Sequence, residues 1–331
     1  MTCKHIASLM KDASEGRIYF FRLSLWKEKA LNNENARKMQ IVVRGNALKI
    51  WRGLLLMRVR VSPPAPTSNA NKMSKLNPPL KWAGGKRWLV PHIEPLWRKS
   101  EERRYVEPFC GGLAVALGLE PERALLNDLN PHLINFYEQL GRGLSLKIEA
   151  RYDAKLFYAH RERFNQLIKR GRAQNAEAAQ LFYYLNRTCF NGLCRFNQRG
   201  EFNVPFGRYK TVNYAGDFQV YRYLFRRWSF TARDIEKLAI EPDDFIYADP
   251  PYDVEFTAYS AGGFSWNDQV RTAELLARHR GPVVLSNQAT DRIVKLYRRL
   301  KFKLKFLPAP RRISCNGNRE AAREVLATRN L

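Results

Sequence analysis

Paired cysteines are absent from this 331-residue sequence. Cys3, Cys110, Cys189, Cys194 and Cys315 form no Cys-x-x-Cys pair and no Cys/His cluster at zinc spacing. That argues against a disulfide framework and a structural zinc centre, and no metal is expected. Scattered thiols suit a reducing compartment and read as packing residues. Long apolar runs are also lacking. The best local run, at 54–57, is short and flanked by arginines, so neither a membrane span nor a secretory leader is expected. No Walker A sequence occurs, which disfavours a P-loop ATPase, and G-x-G-x-x-G is missing because Leu113 stands where a glycine is needed. No clustered metal-binding carboxylates of a nuclease are visible. Acidic charge is scarce: Lys+Arg number 57 against Asp+Glu 31, a net charge of +26. Such an excess favours a polyanionic partner, because each neutralised phosphate releases counterions.

What is present begins with a contrast along the chain. Residues 1–72 show no sustained helical or alternating period and hold 14 Lys/Arg against 4 Asp/Glu. They end in Val61-Ser62-Pro63-Pro64-Ala65-Pro66 and a polar stretch, which is linker-like. The run Arg58-Val59-Arg60-Val61-Ser62-Pro63-Pro64 resembles a transfer-RNA gene translated in frame. The expectation is a basic extension, disordered or non-native, upstream of a natural start at Met73; the alternative is a basic arm that grips DNA. The remainder still carries 43 Lys/Arg against 27 Asp/Glu, so the charge argument survives without the extension.

From Met73 the pattern becomes orderly. Tyr105-Val106-Glu107-Pro108-Phe109 reads as a strand running into the turn Gly111-Gly112, and 113–119 as the start of a small-residue helix. Ala124-Leu125-Leu126-Asn127-Asp128 reads as a second strand ending in an acid, which completes a βαβ unit. Residues 131–187 read as largely helical. Cys194-Arg195-Phe196-Asn197 and Glu201-Phe202-Asn203-Val204 flank Gln198-Arg199-Gly200 as a hairpin. A strand at 245–248, a helix at 268–280 and a strand at 282–286 then restore the α/β alternation. The fold expected is one α/β domain interrupted by a mostly helical insertion.

Two local features carry chemistry. A strand, a glycine turn and a helix start let a ligand approach backbone N–H groups, and an acid one strand later can accept from ribose hydroxyls. That suits a nucleoside-containing cofactor, either a dinucleotide or S-adenosylmethionine; alone it is equally a packing arrangement. The stronger feature is Ala248-Asp249-Pro250-Pro251-Tyr252 behind an apolar strand. Two prolines stiffen the chain and remove two N–H donors. A carboxylate and a carbonyl are then held at a strand's carboxyl end, where α/β folds bind ligands. With Tyr252 as a stacking surface, they suit a planar base bearing an exocyclic amine. Adenine and cytosine both qualify.

Asp249-Pro250-Pro251-Tyr252 resembles the catalytic motif of amino-methyltransferases. Four further segments narrow the resemblance to Dam-type DNA adenine N6-methyltransferases. Leu80-Lys81-Trp82-Ala83-Gly84-Gly85-Lys86 is similar to their N-terminal cofactor motif, and Glu107-Pro108-Phe109-Cys110-Gly111-Gly112 to their cofactor loop. Leu185-Asn186-Arg187, Asn191-Gly192-Leu193-Cys194-Arg195 and Gly200 through Tyr209 are similar to their DNA-recognition hairpin. Ile313-Ser314-Cys315-Asn316-Gly317 matches a C-terminal motif.

The resemblance implies a Rossmann-like methyltransferase sheet in a catalytic domain of 73–134 and 236–331. The target-recognition domain would be 135–235, mostly helical and carrying the hairpin. It implies S-adenosylmethionine as cofactor, S-adenosylhomocysteine as product, and a site lined by Trp82, Lys86, Glu107, Phe109, Gly111, Asp128 and Asp249. Asp249, Pro250, Pro251 and Tyr252 would carry catalysis on a flipped-out base. Lys81, Arg187, Phe190, Asn191, Leu193, Arg195 and Pro205 would contact double-stranded DNA at GATC, with Phe190 as the wedge and Arg195 as the guanine reader. Arg199, Arg208 and Lys210 would touch phosphates. The expected state is a cytoplasmic, nucleoid-associated monomer without an obligate protein partner. The alternatives are a related enzyme acting on cytosine or RNA, and a non-catalytic DNA-binding homologue.

Overall fold

The computed structural model describes three strands within residues 40–59, and residues 76–215, 217–252, 263–309 and 322–331. Ile313-Ser314-Cys315-Asn316-Gly317, Cys3 and the proposed start at Met73 lie outside the described residues. The chain divides into two units, Met1–Ser74 and Lys75–Leu331. Within the first, β1 (Gln40–Arg44), β2 (Ala47–Arg52) and β3 (Leu55–Val59) pair antiparallel in that order. The rest of the expectation for 1–72 lies outside the described residues.

The second unit is built on seven strands: β4 (Tyr105–Glu107), β5 (Ala124–Asn127), β6 (Trp228–Thr231), β7 (Phe245–Ala248), β8 (Val283–Gln288), β9 (Lys303–Ala309) and β10 (Ala322–Arg329). Their order is β6-β5-β4-β7-β8-β10-β9. The pairings from β6 through β8 are parallel, and β10 runs antiparallel to both neighbours. This is the α/β alternation that the strand pattern predicts, in the Rossmann-like sheet that the resemblance implies. β4, β5 and β7 are buried throughout because helices cover both faces.

Side-chain alternation divides the core in two. Tyr105, Leu126, Phe245 and Tyr247 enter one cluster, and Val106, Leu125, Ile246 and Ala248 enter the other. The helices Trp266–Arg278 and Asp291–Arg299 contribute Ala273, Leu276, Ile293 and Leu296 to the second. The strand order reverses between β4 and β7. Such a switch point leaves a crevice beyond the strands' carboxyl ends, and both chemical motifs emerge there.

The insertion departs from its expected limits in one respect. Trp228–Thr231 pairs in parallel with β5, so the sheet takes in a strand that lies inside 135–235. The helix Pro131–Gly141 also packs on this sheet, through Tyr137 against Phe230. The helices Ala154–Lys169 and Ala176–Thr188 form the helical part proper, capped by the side chains of Asp153 and Asn175. The hairpin exists with less regular pairing than its pattern predicts. It is held by the bridges Cys189 with Phe206 and Phe196 with Phe202. Its turn closes on the Asn197 carboxamide, which accepts from the backbone N–H groups of Arg199 and Glu201, each at 2.9 Å. A side-chain acceptor has taken over ladder bonding there.

Candidate active site

The loop after β4 is shaped by Trp82. A Cβ placed on Gly111 would stand 2.6 Å from the indole Nε1, and one on Gly112 would stand 2.7 Å from Trp82 Cβ. The indole therefore lies directly on this backbone, which only glycine permits. Gly111 donates its N–H to Asp128 Oδ2 at 3.2 Å, and its carbonyl accepts from the Tyr137 hydroxyl at 2.6 Å. The other Asp128 oxygen accepts from the Asn130 N–H at 2.9 Å, and the Asn130 side chain caps Pro131–Gly141. The chain thus turns sharply after β5 and holds a half-buried carboxylate beside the glycine loop. Burial raises the Asp128 pKa, and these two backbone donors oppose the rise.

Leu113 breaks the glycine pattern in sequence but not in conformation. Its φ is +60° and its side chain is fully buried. The left-handed backbone costs about 1–2 kcal/mol, while a buried leucine side chain contributes about 2–5 kcal/mol. Leu113→Gly should therefore lower unfolding stability by about 1–3 kcal/mol, the cavity outweighing the relieved strain. A urea titration checks this; equal or higher stability would show that strain dominates.

At the end of β7 the motif converges on a buried lysine. Lys86 Nζ lies 2.9 Å from Asp249 Oδ2 and 3.6 Å from Glu324 Oε1. It also stands over the Tyr252 ring, 4.4 Å from the centroid. The Ser286 hydroxyl donates to Asp249 Oδ1 at 2.8 Å and shares a hydrogen bond of 2.9 Å with the Tyr247 hydroxyl. The Tyr252 hydroxyl reaches both oxygens of Glu324, at 3.0 and 2.7 Å. Gln269 donates to the Pro251 carbonyl at 2.6 Å and is held by Asn287. No donor among the described residues engages the Pro250 carbonyl.

Glu107 is buried beside this group and accepts from the Tyr105 hydroxyl at 3.0 Å. Burial pushes its carboxyl well above the usual range; the Tyr105 bond opposes this and the Asp249 charge reinforces it. Phe109 meets Phe264 edge-on at 5.7 Å. The structure gathers Lys86, Asp249 and Tyr252 into one cluster with Glu107 beside it, and sets Trp82 and Asp128 against the glycine loop that follows β4. Glu324, Ser286 and Gln269 were not expected there. The available signal for Ser286 was a polar residue in an otherwise apolar strand; the strand that holds Glu324 is of mixed polarity and gives none.

The expected DNA contacts lie on the segment from Arg187 to Tyr209. Phe190 stands 45% exposed on a tight turn that Asn191 and Gly192 close with positive φ. The Phe190 N–H donates to the Pro205 carbonyl at 2.9 Å, which joins the two flanks. Arg195 is exposed and oriented by Asn203, whose Oδ1 accepts from its Nε at 2.9 Å. Leu193 is half-buried and Pro205 exposed.

Lys81 joins this surface to the N-terminal motif. Its Nζ donates to the Arg187 carbonyl at 3.0 Å and sits over the Tyr209 ring, 3.4 Å from the centroid. Asn186 clamps the Lys81 backbone by accepting from its N–H at 2.9 Å and donating to its carbonyl at 2.8 Å. Burial, then the Arg187 charge, lowers the Lys81 pKa. The Arg187 guanidinium is anchored on the Asn213 carbonyl at 2.9 Å.

The model of the D12 class N6 adenine-specific DNA methyltransferase family matches residues 82–308. A DNA adenine methylase of Vibrio cholerae is 36% identical over 274 residues, 77% of this chain and 96% of that protein. The DNA adenine methylase of Escherichia coli K12 is 36% identical over 269 residues, 75% of this chain and 93% of that protein. A type II methyltransferase of Lactococcus lactis is 34% identical over 247 residues, covering 69% and 86%. With more than half its length matched and relatives covered almost end to end, this chain belongs to the D12 class of N6 adenine-specific DNA methyltransferases.

Proposed function

We propose that the protein methylates adenine N6 within GATC in duplex DNA, by flipping the base and transferring the methyl group directly from S-adenosylmethionine. The observation that carries the reading is the placement of Asp249 and Tyr252 at the sheet's switch point, beside the Trp82–Gly111–Asp128 crevice.

The residues present fit that cofactor. Gly111 and Gly112 seat the Trp82 indole, which would pack on the cofactor, and Asp128 offers acceptors for ribose hydroxyls. Lys86, Glu107 and Phe109 would line the same pocket. The cofactor, when bound, supplies the methyl group in activated form.

The chain's own residues act on the amine. Adenine N6 is a weak nucleophile because its lone pair is delocalised into the ring. The Asp249 carboxylate and the Pro250 carbonyl would accept its two N–H donors, favour a tetrahedral nitrogen and aim the lone pair at the methyl group. Pro251 stiffens the loop and Tyr252 stacks on the extruded base. Phe190 would fill the space that base leaves. Arg195 would read guanine with Leu193 and Pro205 alongside, Lys81 would reach the first base pair, and Arg187 and Asn191 would hold the backbone. The reading takes the enzyme as a monomer acting in the cytoplasm of a bacterial or phage-infected cell.

Tritium-labelled cofactor and matched duplexes with and without GATC test the specificity. Label should enter the GATC duplex at least about tenfold faster than its scrambled counterpart. Equal incorporation into both would remove the GATC assignment.

A further inference from the structure

Among the described residues, Glu324 is a buried carboxylate that no motif accounts for. It lies on β10, opposite Gln288 of β8 and Leu307 of β9. It is 1% exposed, and it is the residue on which the Tyr252 hydroxyl closes with both contacts. It is also the second carboxylate within ion-pair distance of Lys86. Asp249, by contrast, is asked to do two things. Its Oδ2 is paired with the lysine, yet accepting from an incoming amine requires free lone pairs on the same carboxylate. An ammonium held at 2.9 Å withdraws electron density from that acceptor, so a competing anion on the far side of the lysine changes what Asp249 can do.

We propose that Glu324 is a positioning residue of the methyl-transfer site: it fixes the Tyr252 ring through its hydroxyl and draws the Lys86 ammonium off Asp249, freeing that carboxylate for the target amine. This rests on the reading of Asp249 and Tyr252 given above. The groups facing Glu324 are Lys86 from the N-terminal motif, Asp249 and Tyr252 from the loop after β7, and Tyr247 from β7 itself. Its sheet neighbours Gln288 and Leu307 are uncharged, and the Arg323 guanidinium stacks on the Phe306 ring instead. Burial pushes the Glu324 carboxyl up to about 7, with the Lys86 charge opposing and the Asp249 charge adding to the rise. The ionised form, present above that value, is the one that competes for Lys86. Below it, the lysine remains on Asp249.

The test is the pH profile of kcat for methyl transfer to a GATC duplex, between about pH 6 and about pH 9, for wild type and Glu324→Gln. Wild type should gain activity as pH rises through about 7. Glu324→Gln should lose that limb and run about 10- to 100-fold slower at the alkaline end, with KM for cofactor and DNA within about threefold. If Glu324 acts partly through the phenol, Tyr252→Phe combined with Glu324→Gln should lose less than the product of the two single losses. A Glu324→Gln enzyme with wild-type kcat and an unchanged acid limb overturns the proposal. So does a wild-type profile flat through about pH 7, which holds even if the variant fails to fold. Absence of wild-type transfer at every pH would instead remove the underlying reading of the site.

Discussion

Asp249→Ala should abolish methyl transfer, by at least about 10²–10³-fold in kcat, while the affinity for duplex DNA stays within a few-fold of wild type. The expectation follows from where the carboxylate sits. It leaves the buried strand Phe245–Ala248 at the sheet's switch point and is fixed on both oxygens, by Lys86 and by Ser286. Removing it takes away the only carboxylate at the mouth of the crevice that the reading assigns to the target amine. The hairpin that the reading assigns to DNA is braced separately, by Pro205, Thr188 and Asn203, so binding should survive.

Stability could confuse the result, because breaking a buried ion pair commonly costs about 3–5 kcal/mol. Here Glu324 remains 3.6 Å from Lys86 and limits the damage. Asp249→Asn separates the effects further. It preserves shape and can keep its amide oxygen on Lys86 while its nitrogen donates to the Ser286 hydroxyl, yet it offers the target amine no charged acceptor. It should be nearly as inactive as the alanine variant while unfolding close to wild type. Substantial transfer by Asp249→Asn would contradict the role assigned to the carboxylate.

Arg195→Ala should relax recognition at one base pair, shrinking the preference for the correct base there by about 1–3 kcal/mol. The guanidinium is exposed on the hairpin and Asn203 orients it through Nε; among the described residues nothing engages its two terminal nitrogens, which would make a paired contact with guanine. A residue that touched only phosphate would behave differently: its loss would weaken binding to every sequence alike and reduce the salt dependence. Competition between GATC duplexes and single-base variants distinguishes the two. A uniform loss across all sequences would move Arg195 from base reading to backbone contact.

Legibility in the sequence followed the range of the interactions. Asp249-Pro250-Pro251-Tyr252 could be read directly, because two prolines after an apolar strand act through local stereochemistry. The same holds for the acid after β5 and for the glycine turn, although the turn's third position kept its left-handed backbone with Leu113 in place of glycine. Trp228–Thr231 was absorbed into the insertion because a four-residue strand directly after a helix carries little periodic signal; only its pairing with β5 assigns it to the sheet. Glu324 was invisible for a related reason. Its role depends on β10 inserting between β8 and β9, a non-sequential order that no local pattern encodes. The clamp of Asn186 on the Lys81 backbone joins residues 105 positions apart and was equally out of reach.

The central claim is that this crevice methylates the exocyclic amine of adenine in duplex DNA. Incubating a GATC-containing duplex with the protein and S-adenosylmethionine carrying a deuterated methyl group, then digesting to nucleosides for mass spectrometry, tests it most directly. The account predicts the labelled methyl on N6-methyldeoxyadenosine alone. Label on deoxycytidine, or on no nucleoside while the folded protein still binds the duplex, would contradict it.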